Sequence, residues 1–364
     1  MAGGTDFQGE LKKLREAIDR IDERLLSLIN ERAEIARRIG ELKGKNAEAI
    51  FDPEREEEIL KRLEGANPGP LRPQEVRGVF ARIIQICRGM ESSGRVAYLG
   101  PEGTFSHLAL LKGFGAGVKA VPARELPEIA ELLAGGEVDL ALFPVENSTE
   151  GIVGSSYDLI VEHRFRIVQE IILPVHIYII GRVELKRARR LYSHPQPFRQ
   201  GYRFIARNLP GVEWVETRSS AEAKERLKQD PEGVALVSPL IAESGEFPIL
   251  AGPIETQREN ETRFWVVDRG EGEAGTPGEK TTLYFVLAHR PGTLARFLNK
   301  LARARINLTA ITSRPYPGRS WEYRFFVDLE GDARREPIRS LLPALERLTV
   351  ELKVLGSYPV VAFR

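Results

Sequence analysis

The chain has 364 residues, with 53 Lys and Arg against 52 Asp and Glu and a formal net charge of +1; the length predicts two or three domains, and the balance supplies no electrostatic footprint for a nucleic-acid partner. No apolar run reaches the length needed to span a bilayer, and the opening Met1-Ala2-Gly3-Gly4-Thr5-Asp6 has neither the basic nor the apolar region of a secretory signal. Cys87 is the single cysteine, which excludes an intrachain disulfide and points to a reducing, cytoplasmic setting, while the five histidines lack the paired spacing of metal ligands.

The first ninety or so residues read as helix. Leu11, Leu14, Ile18, Ile21, Leu25, Leu28, Ile35 and Ile39 alternate spacings of three and four, the signature of a heptad seam. Arg32 occupies the seam position between Leu28 and Ile35. A guanidinium there needs an anion, supplied either by a ligand or by a carboxylate on another helix. Lys43 lies about three turns further on, nearly the same side and about 16 Å along, so the two cations can converge on one small dianion. Arg15 is roughly 25 Å from Arg32 on a straight helix and can join that site only from a second copy of the chain. A second helix is predicted from Asp52, with Asp52 as N-cap, Pro53 at the first helical position and Glu54 at the positive end of the dipole. After the break at residues 65–70, a third helix runs from about Pro73 to Met90, striped by Val76, Phe80, Ile83 and Cys87. Three helices cannot easily bury so long a seam, which predicts an intertwined dimer.

Leu14-Arg15-Glu16, Glu31-Arg32, Lys43 and Asp52-x-x-Arg55-Glu56 resemble the all-helical chorismate mutase family. The resemblance implies a helix-swapped dimer whose site takes Arg15 from one subunit and Arg32, Lys43, Asp52, Arg55 and Glu56 from the other. Chorismate is a dianion that rearranges through a pericyclic transition state. Its enzyme need only hold the folded conformer and place donors at the breaking ether oxygen. Many relatives have serine at the Cys87 position and glutamine at the Glu91 position. Glu91 can donate to the ether oxygen only when protonated, so mutase activity is expected to rise as pH falls, and Glu91→Gln to flatten that dependence.

From Arg95 the pattern changes to alternating strands and helices. Arg95–Leu99 is a strand, and Gly100-Pro101-Glu102-Gly103-Thr104-Phe105-Ser106 leads into a helix whose N-terminus suits an anion. Two short α/β series in about 175 residues predict two lobes with a cleft between them. Val138–Leu142 reads as a buried strand that Pro144 stops, and the polar loop Glu146-Asn147-Ser148-Thr149-Glu150-Gly151 follows it. In an open α/β sheet such a loop is where small ligands bind; the alternative is an ordinary capped turn into the next helix. The clusters Thr104-Phe105-Ser106, Glu146-Asn147-Ser148, Ser193-His194-Pro195-Gln196 with Gln200, and Thr262-Arg263-Phe264 are all read as strand ends.

Gly-Pro-Glu-Gly-Thr-Phe-Ser, Glu-Asn-Ser-x-x-Gly, Ser-His-Pro-Gln and Asn-x-Thr-Arg-Phe, in this order, resemble prephenate dehydratase. The resemblance assigns the departing ring hydroxyl to Thr262, acting as a positioned hydrogen-bond donor. It makes Thr104, Glu146, Asn147, Ser148, Ser193, Gln200 and Phe264 supporting residues. Arg263 is a candidate partner for the substrate carboxylate, with a structural ion pair as the alternative, and His194 reads as structural.

Residues 269–278 are a flexible connector by composition. The βαββαβ order beyond it predicts a ferredoxin-like sandwich that resembles an ACT domain, the amino-acid-sensing module. Relatives that bind phenylalanine carry Gly-Ala-Leu-Val and Glu-Ser-Arg-Pro; here the stretches are Gly292-Thr293-Leu294-Ala295 and Thr312-Ser313-Arg314-Pro315. Phenylalanine is the expected effector, and a domain that only dimerises is the alternative. The whole chain therefore resembles a multidomain, bifunctional chorismate mutase–prephenate dehydratase. Its expected parts are an all-α domain over 1–92, a two-lobed, periplasmic-binding-protein-like α/β domain over 94–269, and an α+β ACT domain over 281–364. The implied reactions need no metal and no organic cofactor. Arogenate, the aminated substrate, and a two-lobed sensor that has lost its chemistry stand as rival readings.

Overall fold

The computed structural model describes residues 4–45, 53–91, 94–115, 117–256, 260–270, 278–316 and 322–363. Three helices come first: α1 (Gly4–Lys45), α2 (Pro53–Ala66) and α3 (Pro73–Glu91). α1 has 42 residues, roughly 63 Å at 1.5 Å per residue. It packs on α3, which also holds α2. The buried positions of this unit include Ala36, Leu60, Val76, Ile84 and Cys87, so within one chain α1 is covered through small residues rather than through its heptad leucines. The seam itself, Leu14, Ile18, Ile21, Leu25, Leu28, Ile35 and Ile39, stays 40–62% exposed. An apolar stripe of that length left open on a helix is a surface for another copy or another partner.

The second unit begins at Gly94. It runs β1 (Arg95–Leu99), α4 (Phe105–Phe114), β2 (Lys119–Ala123), α5 (Leu126–Ala134), β3 (Leu140–Asn147), β4 (Gly151–Ile152), α6 (Gly154–Glu162) and β5 (Arg166–Pro174). Then come β6 (Tyr178–Gly181), β7 (Arg190–Ser193), α7 (Pro195–Asn208), β8 (Glu213–Glu216), α8 (Ser220–Leu227), β9 (Gly233–Val237), α9 (Pro239–Ala242), β10 (Ile249–Ala251) and β11 (Glu261–Asp268). The last part is β12 (Lys280–Val286), α10 (Thr293–Arg303), β13 (Leu308–Pro315), β14 (Tyr323–Glu330), α11 (Ile338–Glu346), β15 (Glu351–Tyr358) and β16 (Val360–Ala362).

These strands make three sheets. One has the order β16-β5-β11-β3-β1-β2, with β4 folded back on β3; the second is β10-β6-β9-β7-β8; the third is β13-β14-β12-β15. The first two are the lobes, and the third is the ferredoxin-like sandwich. Phe143, Tyr157 and Trp265 of the first lobe share one hydrophobic cluster with Tyr284, Phe326 and Tyr358 of the sandwich. Tyr157 meets Trp265 and Phe326 edge-on at 4.8 and 4.9 Å between ring centroids. These aromatic pairs make the two sheets one packed body.

Two differences from the sequence reading matter for function. Pro144 does not stop β3; it lies inside the strand, where the pairing with β11 slips between Arg263 and Phe264. Proline is tolerated at such a bulge because no ladder N–H is needed there. Thr262-Arg263-Phe264 opens strand β11 instead of ending one, and β11 runs antiparallel to β3. The end of one strand therefore lies beside the start of the other.

Candidate active site

The β3–β11 register places Asn147 opposite Thr262 and Glu146 opposite Arg263. Beyond Asn147 the chain turns back as β4, pairing Asn147 with Gly151. Gly151 has φ +86°, a left-handed conformation that glycine adopts without strain. The turn wraps around the Asn147 side chain. Its Oδ1 accepts from the backbone N–H of Thr149 (3.0 Å) and of Glu150 (3.1 Å) and from the Thr149 hydroxyl (2.6 Å). Backbone N–H groups only donate, so the orientation of this amide is set by its surroundings. Its Nδ2 then faces Thr262 Oγ1 at 2.9 Å, Asn260 Oδ1 at 3.1 Å and the Glu261 carbonyl at 3.2 Å. Ser148 fastens the same corner: its N–H donates to the Glu261 carbonyl, and its hydroxyl accepts from the Glu261 N–H, both at 2.9 Å.

The corner borders a cleft of about 380 Å³ whose lining includes Thr149, Glu150, Arg199, Gln200, Arg203 and Asn260. Gln200 Nε2 donates to Thr149 Oγ1 (3.2 Å), and Arg199 bridges to Glu150 (3.2 Å). Thr262 is buried and joins this wall through Asn147. The size suits a small organic acid, and the lining carries two arginines, Arg199 and Arg203, beside two carboxylates, Glu150 and Glu255.

Successive strand residues point to opposite faces, and Arg263 is turned away from Thr262. Its Nη1 donates to Glu146 at 2.6 Å, and its Nη2 to Glu170 at 2.7 Å and to Asp328 at 2.5 Å. Lys280 completes the group on Glu170 at 2.5 Å. Burial alone would push the Glu170 carboxyl up, but Arg263 and Lys280 hold it below its ordinary value. Burial raises the Asp328 carboxyl against the pull of Arg263. Burial pulls the Arg263 guanidinium down, and its carboxylates more than reverse that. Arg263 is thus engaged by three carboxylates, two from the lobe and one from the sandwich. The structure does not bring it together with Thr262, and this geometry matches the ion-pair alternative.

The other residues singled out in the lobes have local work. The Thr104 hydroxyl donates to the Leu99 carbonyl (3.1 Å) and accepts from the His107 N–H (3.3 Å), starting α4. The fully buried Ser193 donates to the His194 carbonyl (2.7 Å). His194 Nδ1 accepts from the Gln196 N–H at the head of α7, and burial pulls its pKa down. Phe264 is buried.

In the helical unit Arg15 is exposed, Arg32 and Glu56 are half-buried and Arg55 is exposed. Arg55 donates to Glu58 at 3.1 Å. Asp52 and the side chains of Lys43 and Glu91 lie outside the described residues. The sequence reading places Thr149 in the ligand loop but misses Arg199, Arg203 and Asn260 as members of the cleft. For Asn260 the signal was already present as the first letter of Asn-x-Thr-Arg-Phe.

In the sandwich a second cavity of about 320 Å³ is lined by Leu287, His289, Arg290, Thr293, Leu294 and Phe325, among others. Gly292, at φ +80°, caps α10, and the Thr293 hydroxyl donates to the Arg290 carbonyl at 3.0 Å. Ala295 lies in the first turn of α10. The stretch Thr312-Ser313-Arg314-Pro315 forms the end of β13, and its residues face alternate ways: Arg314 bridges to Asp158 of α6 at 2.5 Å, where Arg324 also binds at 2.7 Å, whereas Ser313 and Pro315 pair with Phe325 and Tyr323, which line the cavity. Thr312 is buried. Ser313 and Pro315 thus share a sheet face with the cavity beside Gly292-Thr293-Leu294-Ala295, while Thr312 and Arg314 lie on the other face.

Comparison with known proteins matches the chain to three families in succession: chorismate mutase type II over residues 14–92, prephenate dehydratase over 96–272 and the ACT domain over 281–347. It is 37% identical to a bifunctional chorismate mutase/prephenate dehydratase of Aquifex aeolicus, over 96% of this chain and 98% of that one. Among solved structures, a prephenate dehydratase from Arthrobacter aurescens in complex with L-Phe superposes with a TM-score of 0.67 at 31% identity, covering 73% of this chain and 90% of that one. A protein described as a novel type of quorum quenching acylase matches with a TM-score of 0.66 at 29% identity, over 73% of this chain and 98% of that one. A likeness of fold can thus join different chemistries; the full-length relative and the three consecutive matches decide between them, and the chain belongs to the bifunctional chorismate mutase/prephenate dehydratase family.

Proposed function

We propose that the helical unit rearranges chorismate to prephenate, and that the lobes convert prephenate to phenylpyruvate, carbon dioxide and water. In the second reaction the ring carboxylate leaves as carbon dioxide, its bonding electrons aromatise the ring, and the ring hydroxyl departs with a proton. The observation that carries this reading is the hydrogen bond from Asn147 Nδ2 to Thr262 Oγ1. Because the hydroxyl oxygen already accepts from Asn147, its own hydrogen is left to be donated, and the departing hydroxyl is the group that needs one. Such a donor is worth about 10²–10⁴ in rate. Arg199 and Arg203 on the cleft wall suit the carboxylate that is kept, while Arg263, engaged by three carboxylates, is better suited to holding β11. An enzyme of this kind should not stabilise the carboxylate that leaves.

The exposed seam of α1 supports a homodimer in which Arg15 of one copy meets Arg32, Lys43, Asp52, Arg55 and Glu56 of the other, with Glu91 at the ether oxygen. The cavity beside Gly292-Thr293-Leu294-Ala295 is the proposed place for phenylalanine. Ser313 and Pro315 lie on the cavity's side of the sheet, and Arg314 on the other face couples the same strand to α6 through Asp158. The single buried cysteine supports a cytoplasmic setting. The purified chain, given chorismate, is expected to release phenylpyruvate with prephenate as intermediate, and phenylalanine to inhibit the second step. Prephenate accumulating without phenylpyruvate would overturn the assignment of the lobes.

A further inference from the structure

We infer that Asn260 is a specificity-determining residue of the dehydratase reaction: its Nδ2 donates to the keto oxygen of the substrate's pyruvyl arm and so selects the keto acid over its aminated counterpart. This rests on the dehydratase reading above and adds to it a residue and a basis for choosing between two substrates.

Asn260 lines the cleft and is only 3% exposed. The direction of its amide follows from a chain of one-way hydrogen bonds. The backbone N–H groups of Thr149 and Glu150 fix Oδ1 of Asn147. That turns Asn147 Nδ2 toward Asn260, which must answer with Oδ1 at 3.1 Å. Asn260 Nδ2 is then the free end of the amide, and among the described residues it has no hydrogen-bond partner. A buried N–H without an acceptor is costly, so a ligand oxygen is its natural complement.

The same chain sets Gln200. The Thr149 hydroxyl spends its hydrogen on Asn147 (2.6 Å), so it can only accept from Gln200 Nε2 (3.2 Å). Gln200 Oε1 is left as a buried acceptor, also without a partner among the described residues. One wall thus offers a donor and an acceptor whose polarities cannot be exchanged without breaking the backbone-anchored turn. The keto acid fits this count. It carries a single donor, the ring hydroxyl, for Gln200, and it has a carbonyl oxygen for Asn260. In the aminated substrate an ammonium replaces that carbonyl and sets donor against donor. A site built around a hydrogen bond rejects an analogue that cannot make it far more strongly than an apolar pocket rejects a change of size.

The test is steady-state turnover of prephenate and of arogenate by the full chain and by two variants. Asn260→Asp keeps an acceptor for Asn147 and removes the donor; Asn260→Ala removes the donor without adding charge. Wild type is expected to prefer prephenate in kcat/KM by at least about tenfold, and both variants to shift that ratio toward arogenate by about tenfold or more, Asn260→Asp the further. Thermal unfolding of each variant reports whether it is folded, and either variant alone suffices. Equal losses on both substrates, or a wild type that prefers arogenate, would overturn the inference while leaving the dehydratase reading intact. A wild type inert toward both substrates would sink that reading, and this inference with it.

Discussion

The two ends of the polypeptide solve the problem of assembling a polar site in opposite ways. In the lobes, Asn147, Thr149, Asn260 and Thr262 complete their network within one chain, anchored on backbone N–H groups and on the register of two antiparallel strands. In the helical unit Arg15, Arg32 and Lys43 are spread along a single helix beside an apolar seam that the chain leaves open, and Arg55 lies on the next helix. A strand pair brings together residues more than a hundred positions apart in sequence, whereas one straight helix cannot bring two of its own distant residues to a point. On the reading proposed above, the helical site is completed by a second copy, and the lobed site is not.

Five experiments press on that contrast. Thr262→Ala is expected to lower dehydratase kcat by about 10²–10⁴ with mutase turnover unchanged; dehydratase turnover within a few-fold of wild type would show that the network is scaffolding only. Arg32→Ala should lower mutase activity by about 10² and spare the dehydratase. Mixing Arg15→Ala with Arg32→Ala subunits under conditions of exchange should restore about a quarter of the mutase sites, because half the dimers are hybrids and one of their two sites is intact. No recovery would place both arginines in a site made by one chain.

Leu25→Lys puts charge into the open seam. Mutase activity is expected to fall several-fold and to become dependent on protein concentration, while dehydratase activity persists; sedimentation at two concentrations checks the assembly. The smallest effect concerns a pair closed within one lobe. Arg190 holds the Asp230 carboxyl down at about 2 through hydrogen bonds of 2.7 and 2.8 Å, against an ordinary value of 3.8. A carboxyl whose folded value is depressed adds stability above its unfolded value and loses it as pH falls toward the folded one. Asp230→Asn should therefore cost on the order of 1–2 kcal/mol near neutral pH, by denaturant melts, with the gap closing between about pH 4 and pH 2.

Periodicity and turn chemistry made most of the architecture legible. The 3.6-residue stripes gave the three helices, and the βαββαβ order gave the sandwich. What escaped was set by long-range pairing. Short strands such as β4, β6, β10 and β16 carry too few residues to show an alternation. β11 was not read as a strand, so its first residues were taken for a strand end. Pro144 was read by its local preference for breaking strands, and the bulge opposite Arg263 overrode it. Thr262 and Asn147 were identifiable by motif, but that Arg263 turns to the other face follows only from knowing that both residues lie on one strand. Asn260 is legible as the first letter of Asn-x-Thr-Arg-Phe, but nothing in one dimension says that its amide has a hydrogen to spare.

β16 has a practical consequence for anyone dividing this protein. Val360–Ala362 lies beyond the sandwich in sequence, yet it pairs in parallel with Val360 opposite Glu170 and Ala362 opposite Ile172; the Pro359 carbonyl accepts from the Glu170 N–H, and the Phe363 N–H reaches back to the Ile172 carbonyl. A clone cut in the 270–278 connector would free one rim of the β5 ladder, and bare rims invite self-association. Fragments meant to isolate the dehydratase chemistry should carry a substitute for this strap, and affinity handles should be kept away from it.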